Sequence, residues 1–111
     1  MLPFSGLYLN SAQLSGLLLA GADFNDADLT GADLSESDLS GTDLSGSVLT
    51  DANLSEAVLD GTNISGVDFT GATLTAGALD SALYVEDEPP TGVDASDATS
   101  LTPAEADVDD D

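Results

Sequence analysis

The sequence predicts an all-β solenoid in which the chain winds as a square coil of about twenty residues. Three observations support this fold class: a large apolar residue returns at every fifth position, a small residue stands two positions before it, and turn-forming residues fill the positions between. The chain has 111 residues, which is enough for one small domain. We expect the solenoid over residues 1–84 and an acidic tail over residues 85–111.

The apolar repeat runs without a gap from residue 4 to residue 79. All sixteen positions that end in 4 or 9 hold Leu, Ile or Phe, which at 41% hydrophobic content has a chance probability on the order of one in a million. A step of five advances an α-helix by about 140°, and an odd step sends successive side chains of a flat strand to opposite faces. A chain that turns a corner after each short extended segment keeps these side chains together, and four corners close a square.

The five positions of the repeat, which we call its phases, predict which residues fill the interior of the coil. Small residues occupy the positions two before each apolar residue from Ala22 to Ala82, where Val67 is the largest, so neighbouring coils can close tightly. Glycines recur in another phase, as at Gly31 and Gly41, where tight turns need a positive φ. The predicted core residues are Phe24, Leu29, Leu34, Leu39, Leu44, Leu49, Leu54, Leu59, Ile64 and Phe69.

Five-residue blocks carry a resemblance to a known family. The segments "ADLTG", "ADLSE", "TDLSG", "ANLSE" and "TNISG" resemble the pentapeptide-repeat family and its pattern A(D/N)LXX. The resemblance covers residues 4 to about 84. It implies a right-handed quadrilateral β-helix of about four coils, and it implies little about function because the family has many roles.

The charge composition argues against most catalytic chemistry. The chain has no Lys, Arg, His or Cys, and its 22 Asp and Glu residues give a formal charge of −22. Ser–His pairs, Schiff-base lysines, disulfides and thiolate zinc sites cannot form within it. Direct nucleic-acid binding is not expected either, because phosphate contacts rely on cations. We predict no enzyme activity, no catalytic residue, no cofactor and no dedicated metal site, only diffusely bound cations.

Membrane and export features are not found in the sequence. There is no basic segment of the kind that begins a secretory signal peptide. The longest apolar run, "LLLAGA" at residues 17–22, is far below the roughly 20 residues needed to span a bilayer. We expect a soluble, cytoplasmic protein without membrane insertion.

The position before each core residue is predicted to point outward into water. At a period of twenty, Asp23 stacks over Asp43, and two carboxylates about 5 Å apart repel by somewhat under 1 kcal/mol in water. Molar salt shortens the screening length to about 3 Å and removes most of this cost. The composition is similar to that of haloarchaeal proteins, so we predict adaptation to high salt. The predicted acidic surface is formed by Asp23, Asp28, Asp33, Asp38, Asp43 and Asp68.

The first 22 residues carry no charge, unlike the rest of the chain. Tyr8 and Leu18 stand at outward positions that hold Asp in later coils, and an end coil exposes an open backbone edge. We predict a contact end here, for a protein partner or for self-association, formed by Leu7, Tyr8, Leu17 and Leu18. The alternative is an irregular cap that folds over the end of the solenoid.

The tail differs from the repeats in composition. Residues 86–111 hold ten acids and three of the four prolines, with no apolar period. Such a segment cannot bury enough apolar surface to offset its ordering entropy, so we predict that residues 85–111 are disordered.

Two functions remain open at this point. The first is a non-catalytic structural or protein-interaction module, a rigid acidic rod that docks through its uncharged N-terminal coil. The second follows from the resemblance, since some pentapeptide-repeat proteins linked to quinolone resistance mimic DNA and occupy the DNA-binding surface of gyrase. In that case the acidic surface would stand in for phosphates, and the partner would be a DNA-handling protein such as gyrase or another topoisomerase.

Overall fold

The computed structural model describes residues 3–93 and 98–101. From residue 3 to residue 82 the chain winds as four coils, because parallel backbone bridges join positions twenty residues apart, from Pro3–Asp23 to Asn63–Leu83. We define the first coil as residues 3–22, the second as 23–42, the third as 43–62 and the fourth as 63–82. The predicted all-β solenoid is confirmed, and the described residues contain no helix.

Few segments are long enough to count as strands, because a corner follows every short extended stretch. The described residues contain β1 (Asn53–Leu54), β2 (Thr73–Leu74), β3 (Leu83–Val85) and β4 (Thr99–Leu101). Strand β1 pairs with β2 and strand β3 pairs with β4, in both cases in parallel. Elsewhere one residue per face bridges to the next coil.

Four faces run along the solenoid, and each is defined by the outward residues that bridge from coil to coil. The first face holds Pro3, Asp23, Asp43, Asn63 and Leu83; the second holds Tyr8, Asp28, Val48, Asp68 and Thr91; the third holds Gln13, Asp33, Asn53 and Thr73; and the fourth holds Leu18, Asp38 and Val58. The fourth face therefore ends one coil earlier than the third.

The interior is a continuous apolar column. All ten predicted core residues, from Phe24 to Phe69, are at most 1% exposed. Most residues of the small phase, such as Ala27 and Ala52, are buried with them. The column is less covered at its first-coil end, where Phe4 is only partly buried and stacks on Phe24 with ring centroids 4.9 Å apart.

Each corner contains a residue whose backbone has a left-handed conformation, and this regular series of residues ends before Ala76. All fourteen residues from 6 to 71 whose numbers end in 1 or 6 have φ between 59° and 74°. Five of them are not glycine: Ser11, Asp26, Glu36, Asp51 and Glu56. At the next corner Ala76 does not have a positive φ, and Gly77 has φ of 81° instead. The left-handed region costs Ala about 1–2 kcal/mol, so the adjacent glycine takes it.

Regular pairing returns after the displaced corner at Leu83, whose carbonyl accepts from the Ile64 N–H at 2.8 Å, and it changes again beyond Val85. The Gly66 N–H bonds to the Glu88 carbonyl at 2.8 Å and the Phe69 N–H bonds to the Thr91 carbonyl at 2.9 Å, both twenty-two residues ahead rather than nineteen as in earlier coils. The side-chain phases of the sequence continue to Ala82, whereas the backbone leaves the regular repeat over residues 76–81, regains it at Leu83 and leaves it again after Val85.

Ordered pairing extends beyond the predicted solenoid boundary at residue 84. Thr91 bridges to Asp68, and β4 pairs with β3. Gly92 lies so close to the fourth coil that a Cβ there would stand 2.5 Å from the Thr70 backbone nitrogen. Residues 94–97 and 102–111, on which much of the prediction of a disordered tail falls, lie outside the described residues.

Candidate docking surface at the first coil

The outward Asp and Asn side chains of the middle coils close the corners that follow them. Asp33 Oδ1 accepts hydrogen bonds from the Ser35 N–H at 3.0 Å and the Ser35 hydroxyl at 2.7 Å. Asn63 Oδ1 accepts the same pair from Ser65 at 3.0 and 2.6 Å. An Asx side chain that bonds to the backbone two residues ahead is a known turn-forming device. These acids are therefore parts of the fold as well as of the surface.

These hydrogen bonds lower the pKa of several outward carboxyls. In each case the largest cause is the hydroxyl of the Ser or Thr two residues ahead, followed by the N–H of the same residue. A carboxyl that accepts such bonds is favoured in its charged form, so its pKa lies below the ordinary value. The four carboxyls with a lowered pKa are Asp28, Asp33, Asp38 and Asp68.

The acidic surface is not a set of continuous ladders. Asp23 and Asp43 bridge directly on the first face, but Val48 separates Asp28 from Asp68 on the second face. On the third and fourth faces Asn53 and Val58 follow the Asp of the second coil. All six predicted acidic residues lie at outward positions of the coil and are half-buried, because their carboxylates fold back onto their own corners.

The predicted contact end is exposed, but it is not one patch. Tyr8 is 85% exposed and Leu18 is 82% exposed, while Leu7 and Leu17 are 45% and 42% exposed. Tyr8 lies on the second face and Leu18 on the fourth, so they project from opposite sides of the square. Leu7 and Leu17 occupy the inward small-residue phase, and they are exposed because no described residue covers the first coil from outside.

The first coil also leaves backbone groups unpaired along its edge. In the second coil the outward residue donates to the coil before it, as when the Asp28 N–H bonds to the Leu7 carbonyl at 2.9 Å. The equivalent N–H groups of Tyr8, Gln13 and Leu18 find no acceptor within residues 3–93 and 98–101. A sheet edge with free donors is a template for pairing with another chain. The first coil thus combines an open edge with exposed apolar side chains and no charge.

Other kinds of site find less support. In the part of the chain that the structure describes, no three acidic residues come close enough together to hold a metal ion. The same residues include no helix that could cross a membrane. Two open cavities lie beside the displaced corner, with volumes of about 320 and 210 Å³.

Sequence reasoning missed the turn-closing role of the acids, although the signal is in the sequence. A Ser, Thr or Asn follows two residues after each of the six predicted acidic residues, as in "DLS", "DLT" and "DFN". The unpaired N–H groups of the first coil could not be identified individually, since they depend on which coil supplies each acceptor.

Known proteins share the repeat and the fold. A family model described as pentapeptide repeats matches residues 8–46 and 37–75 with eight copies of the repeat. The solved structure of a pentapeptide repeat protein from the Arabidopsis thaliana thylakoid lumen is similar, with a TM-score of 0.67 and 29% identity over 79% of this chain and 64% of that chain. This chain therefore spans less than two thirds of that relative.

A second solved structure, of a pentapeptide repeat protein from Nostoc PCC 7120, has a TM-score of 0.50 and 28% identity. The similarity covers 89% of this chain and 84% of the Nostoc chain. No curated protein sequence matches the chain.

Proposed function

Because this chain belongs to the pentapeptide-repeat family, whose members are non-enzymatic structural or interaction modules, we propose that it is a rigid acidic rod that docks through its uncharged first coil. The rod carries charge on every later coil and none on the first. Its carboxylates keep the solenoid soluble and discourage contact along the sides. The first coil is the surface on which a partner can bind without meeting an array of negative charge.

One observation carries this proposal: among the residues that the structure describes, the two most exposed large apolar ones both lie on the charge-free coil. Tyr8 and Leu18 occupy outward positions that hold Asp28 and Asp38 one coil later. Their unpaired N–H groups add a backbone template beside the apolar side chains. The support lies in this combination, because an open backbone edge is a template for pairing with another chain and no charge on this coil opposes the contact.

Two substitutions test the proposal, each of which places in the first coil the residue found at the same position of the second coil. Tyr8→Asp and Leu18→Asp place at each site a residue that the same face already accommodates one coil later, so the fold should tolerate both. We expect both variants to abolish capture of partners from the source organism in high salt, and to abolish any self-association seen by sedimentation. Capture identifies a separate partner, and sedimentation identifies a second copy.

The matched control for this test is Val48→Asp. Val48 lies on the same face as Tyr8, but two coils away. It should leave capture and sedimentation unchanged. Docking through the first coil is rejected if Val48→Asp has the same effect as Tyr8→Asp, or if neither first-coil variant changes association.

DNA mimicry is the second candidate, and charge density supports it. The second and third coils hold ten acids, and two coil spacings of about 4.8 Å give roughly one charge per Å, against about one per 1.7 Å of duplex DNA. The interrupted Asp columns do not reproduce the regular spacing of phosphates. A gyrase supercoiling assay tests whether the protein mimics DNA. If the folded protein does not inhibit supercoiling at micromolar concentration, DNA mimicry is rejected.

A further inference from the structure

The fourth face normally pairs each coil with both of its neighbours. In the second coil the Asp38 N–H bonds to the Leu17 carbonyl of the first coil at 2.9 Å. The next residue, Leu39, donates its N–H to the Val58 carbonyl of the third coil, also at 2.9 Å. Each outward residue on this face therefore donates one hydrogen bond to the coil before it and accepts one from that same coil.

This arrangement is missing between the third and fourth coils. The Ala78 N–H, which by position would donate to the Ala57 carbonyl, bonds instead to the Thr75 carbonyl at 3.0 Å. Neither the Ala57 carbonyl nor the Leu59 N–H has a partner in the described part of the chain. The loss coincides with the corner displaced from Ala76 to the next residue: the Glu56 N–H bonds to the Thr75 hydroxyl at 2.8 Å, and no bridge joins Val58 to Ala78.

The vacant position opens into a cavity of about 320 Å³. Residues 56–60 form one wall of the cavity and residues 75–78 form the other. Ala57 and Leu59 are 8% and 1% exposed, so their unpaired backbone groups lie at nearly buried residues, where such groups are almost always hydrogen-bonded. Between them Val58 presents an apolar side chain to solvent.

We propose that this gap binds an extended peptide segment of another protein, which adds a strand to the fourth face. One peptide residue fills the place that a regular fourth coil would occupy. Its N–H donates to the Ala57 carbonyl, its carbonyl accepts from the Leu59 N–H, and its small apolar side chain packs against Val58. Addition of a strand to an open sheet edge is an established mode of peptide recognition.

Charge identifies the kind of peptide. Glu56 and Asp60 line the cavity, and Asp80 lines the adjoining cavity, which shares residues 75–78. A segment that approaches these carboxylates is favoured if it carries Lys or Arg on either side of the apolar residue. This chain contains neither residue and no His, so neither a second copy nor its own acidic C-terminal residues can supply the complementary charge. The site is therefore distinct from docking at the first coil.

The probe for this site is a blocked peptide, Lys-Val-Ala-Val-Lys, titrated into the full chain at the lowest salt at which the chain is folded. Amide NMR should show shifts confined to residues 56–60 and 75–78, with slower hydrogen exchange of the Leu59 N–H. The charge-reversed peptide Glu-Val-Ala-Val-Glu should bind at least about tenfold more weakly. A peptide N-methylated at its central residue should also bind more weakly, since it cannot donate to Ala57.

Two sets of variants test the geometry. Glu56→Gln should weaken binding of the cationic peptide, whereas Glu36→Gln, at the same corner one coil earlier, should not. The double variant Ala76→Gly/Gly77→Ala moves the glycine to the regular corner position and should close the gap. This double variant should slow hydrogen exchange of the Leu59 N–H without peptide, and it should abolish peptide binding. Unchanged hydrogen exchange of core amides such as that of Leu34 checks that the variant is folded.

The proposal is overturned by any of three results. The first is an absence of shifts in residues 56–60, and the second is equal affinity for the cationic and anionic peptides. The third is equal effects of Glu56→Gln and Glu36→Gln. If the double variant does not fold, the Glu56 and Glu36 pair and the N-methylated peptide still decide the question.

Discussion

Hydroxyl groups buried inside the solenoid differ in whether they have a hydrogen-bond partner. The Ser37 hydroxyl donates to the Leu34 carbonyl at 2.6 Å, and the Thr42 hydroxyl donates to the Leu39 carbonyl at 2.8 Å. Ser47 occupies the same small inward phase, but its buried hydroxyl has no partner in the described part of the chain. A buried hydroxyl without a partner costs free energy that a paired one does not.

Replacing Ser47 should therefore stabilise the protein. Ser47→Ala should raise the free energy of unfolding by about 1 kcal/mol, because it removes a buried hydroxyl that has no hydrogen-bond partner. The alanine should fit, since Ala27 is buried at the equivalent position one coil earlier. The matched control Ser37→Ala removes a satisfied hydroxyl and should lower it by about 0.5–1.5 kcal/mol. Urea denaturation measures both, and a loss of stability in Ser47→Ala would contradict this account.

The corner carboxylates make stability depend on pH. The Ser35 hydroxyl and N–H hold the pKa of Asp33 below its ordinary value in the folded chain. The folded chain then binds fewer protons than the unfolded chain in acid, so the contribution of Asp33 is present above the unfolded-state pKa and is lost as pH falls through the folded-state pKa.

The pH effect of a single carboxyl can be isolated with Asp33→Asn. Asn keeps the turn, as Asn63 shows with Ser65, but does not titrate. The stability of the natural chain relative to Asp33→Asn should fall as pH is lowered from about 5 to about 2. Urea midpoints at several pH values give this difference, and a difference that is flat or rises toward acid rejects the hydrogen-bond explanation.

At the scale of one coil, core burial decides how much each pentapeptide contributes. Leu54 in β1 is fully buried, and its pairing partner Leu74 in β2 is only half-buried. Leu54→Ala should cost about 2–5 kcal/mol of unfolding free energy through lost burial and a residual cavity. Leu74→Ala should cost clearly less, because less apolar surface returns to water. Equal costs, measured by urea denaturation, would mean that the fourth coil is as tightly packed as the third.

The C-terminal segment depends on close backbone packing at Gly92. A Cβ there would meet the Thr70 nitrogen at 2.5 Å, and φ of 77° already disfavours a side chain. Gly92→Ala should displace residues 91–93 and speed hydrogen exchange of the Phe69 N–H, which bonds to the Thr91 carbonyl. The Leu34 N–H, which bonds to the third coil, is the internal control and should not change. Unchanged exchange at Phe69 would contradict the role given to Gly92.

At the scale of the whole molecule, uncompensated charge should make stability depend on salt. The chain has a formal charge of −22 and no cation, so repulsion opposes folding at low ionic strength. Raising KCl from about 0.1 M to about 3 M should raise the denaturation midpoint, since screening shortens from about 10 Å to below about 3 Å. Equal stability at both concentrations would contradict adaptation to high salt.

A pair of variants connects this salt effect to the structure. Asp43 stacks directly on Asp23, whereas the next residue on the face of Asp28 is Val48. Asp43→Asn should therefore gain more stability than Asp28→Asn at low salt, and the two should converge at high salt. The absence of any difference at low salt would show that stacking of adjacent carboxylates is not the source of the repulsion.

The square coil, the ten core residues and the charge-free first coil are all readable from the amino-acid sequence. These features could be predicted because each pentapeptide repeats one local conformation, so the phase of a residue decides whether Leu34 points inward or Asp33 outward. Exposure of Tyr8 and Leu18 followed from the same phases. The turn-closing role of the acids is also local, and it was readable from the Ser or Thr two residues ahead.

The places where the backbone leaves the regular repeat are visible only in the folded chain. Leu79 and Ala82 keep the correct phase and are buried, so the side-chain pattern gives no warning that the corner at Ala76 has moved. The backbone nevertheless regains the regular register at Leu83 and loses it after Val85, where Gly66 and Phe69 donate to carbonyls twenty-two residues ahead. The gap beside Val58 accompanies the moved corner, because a backbone hydrogen bond requires both partners in place, whereas burial requires only contact.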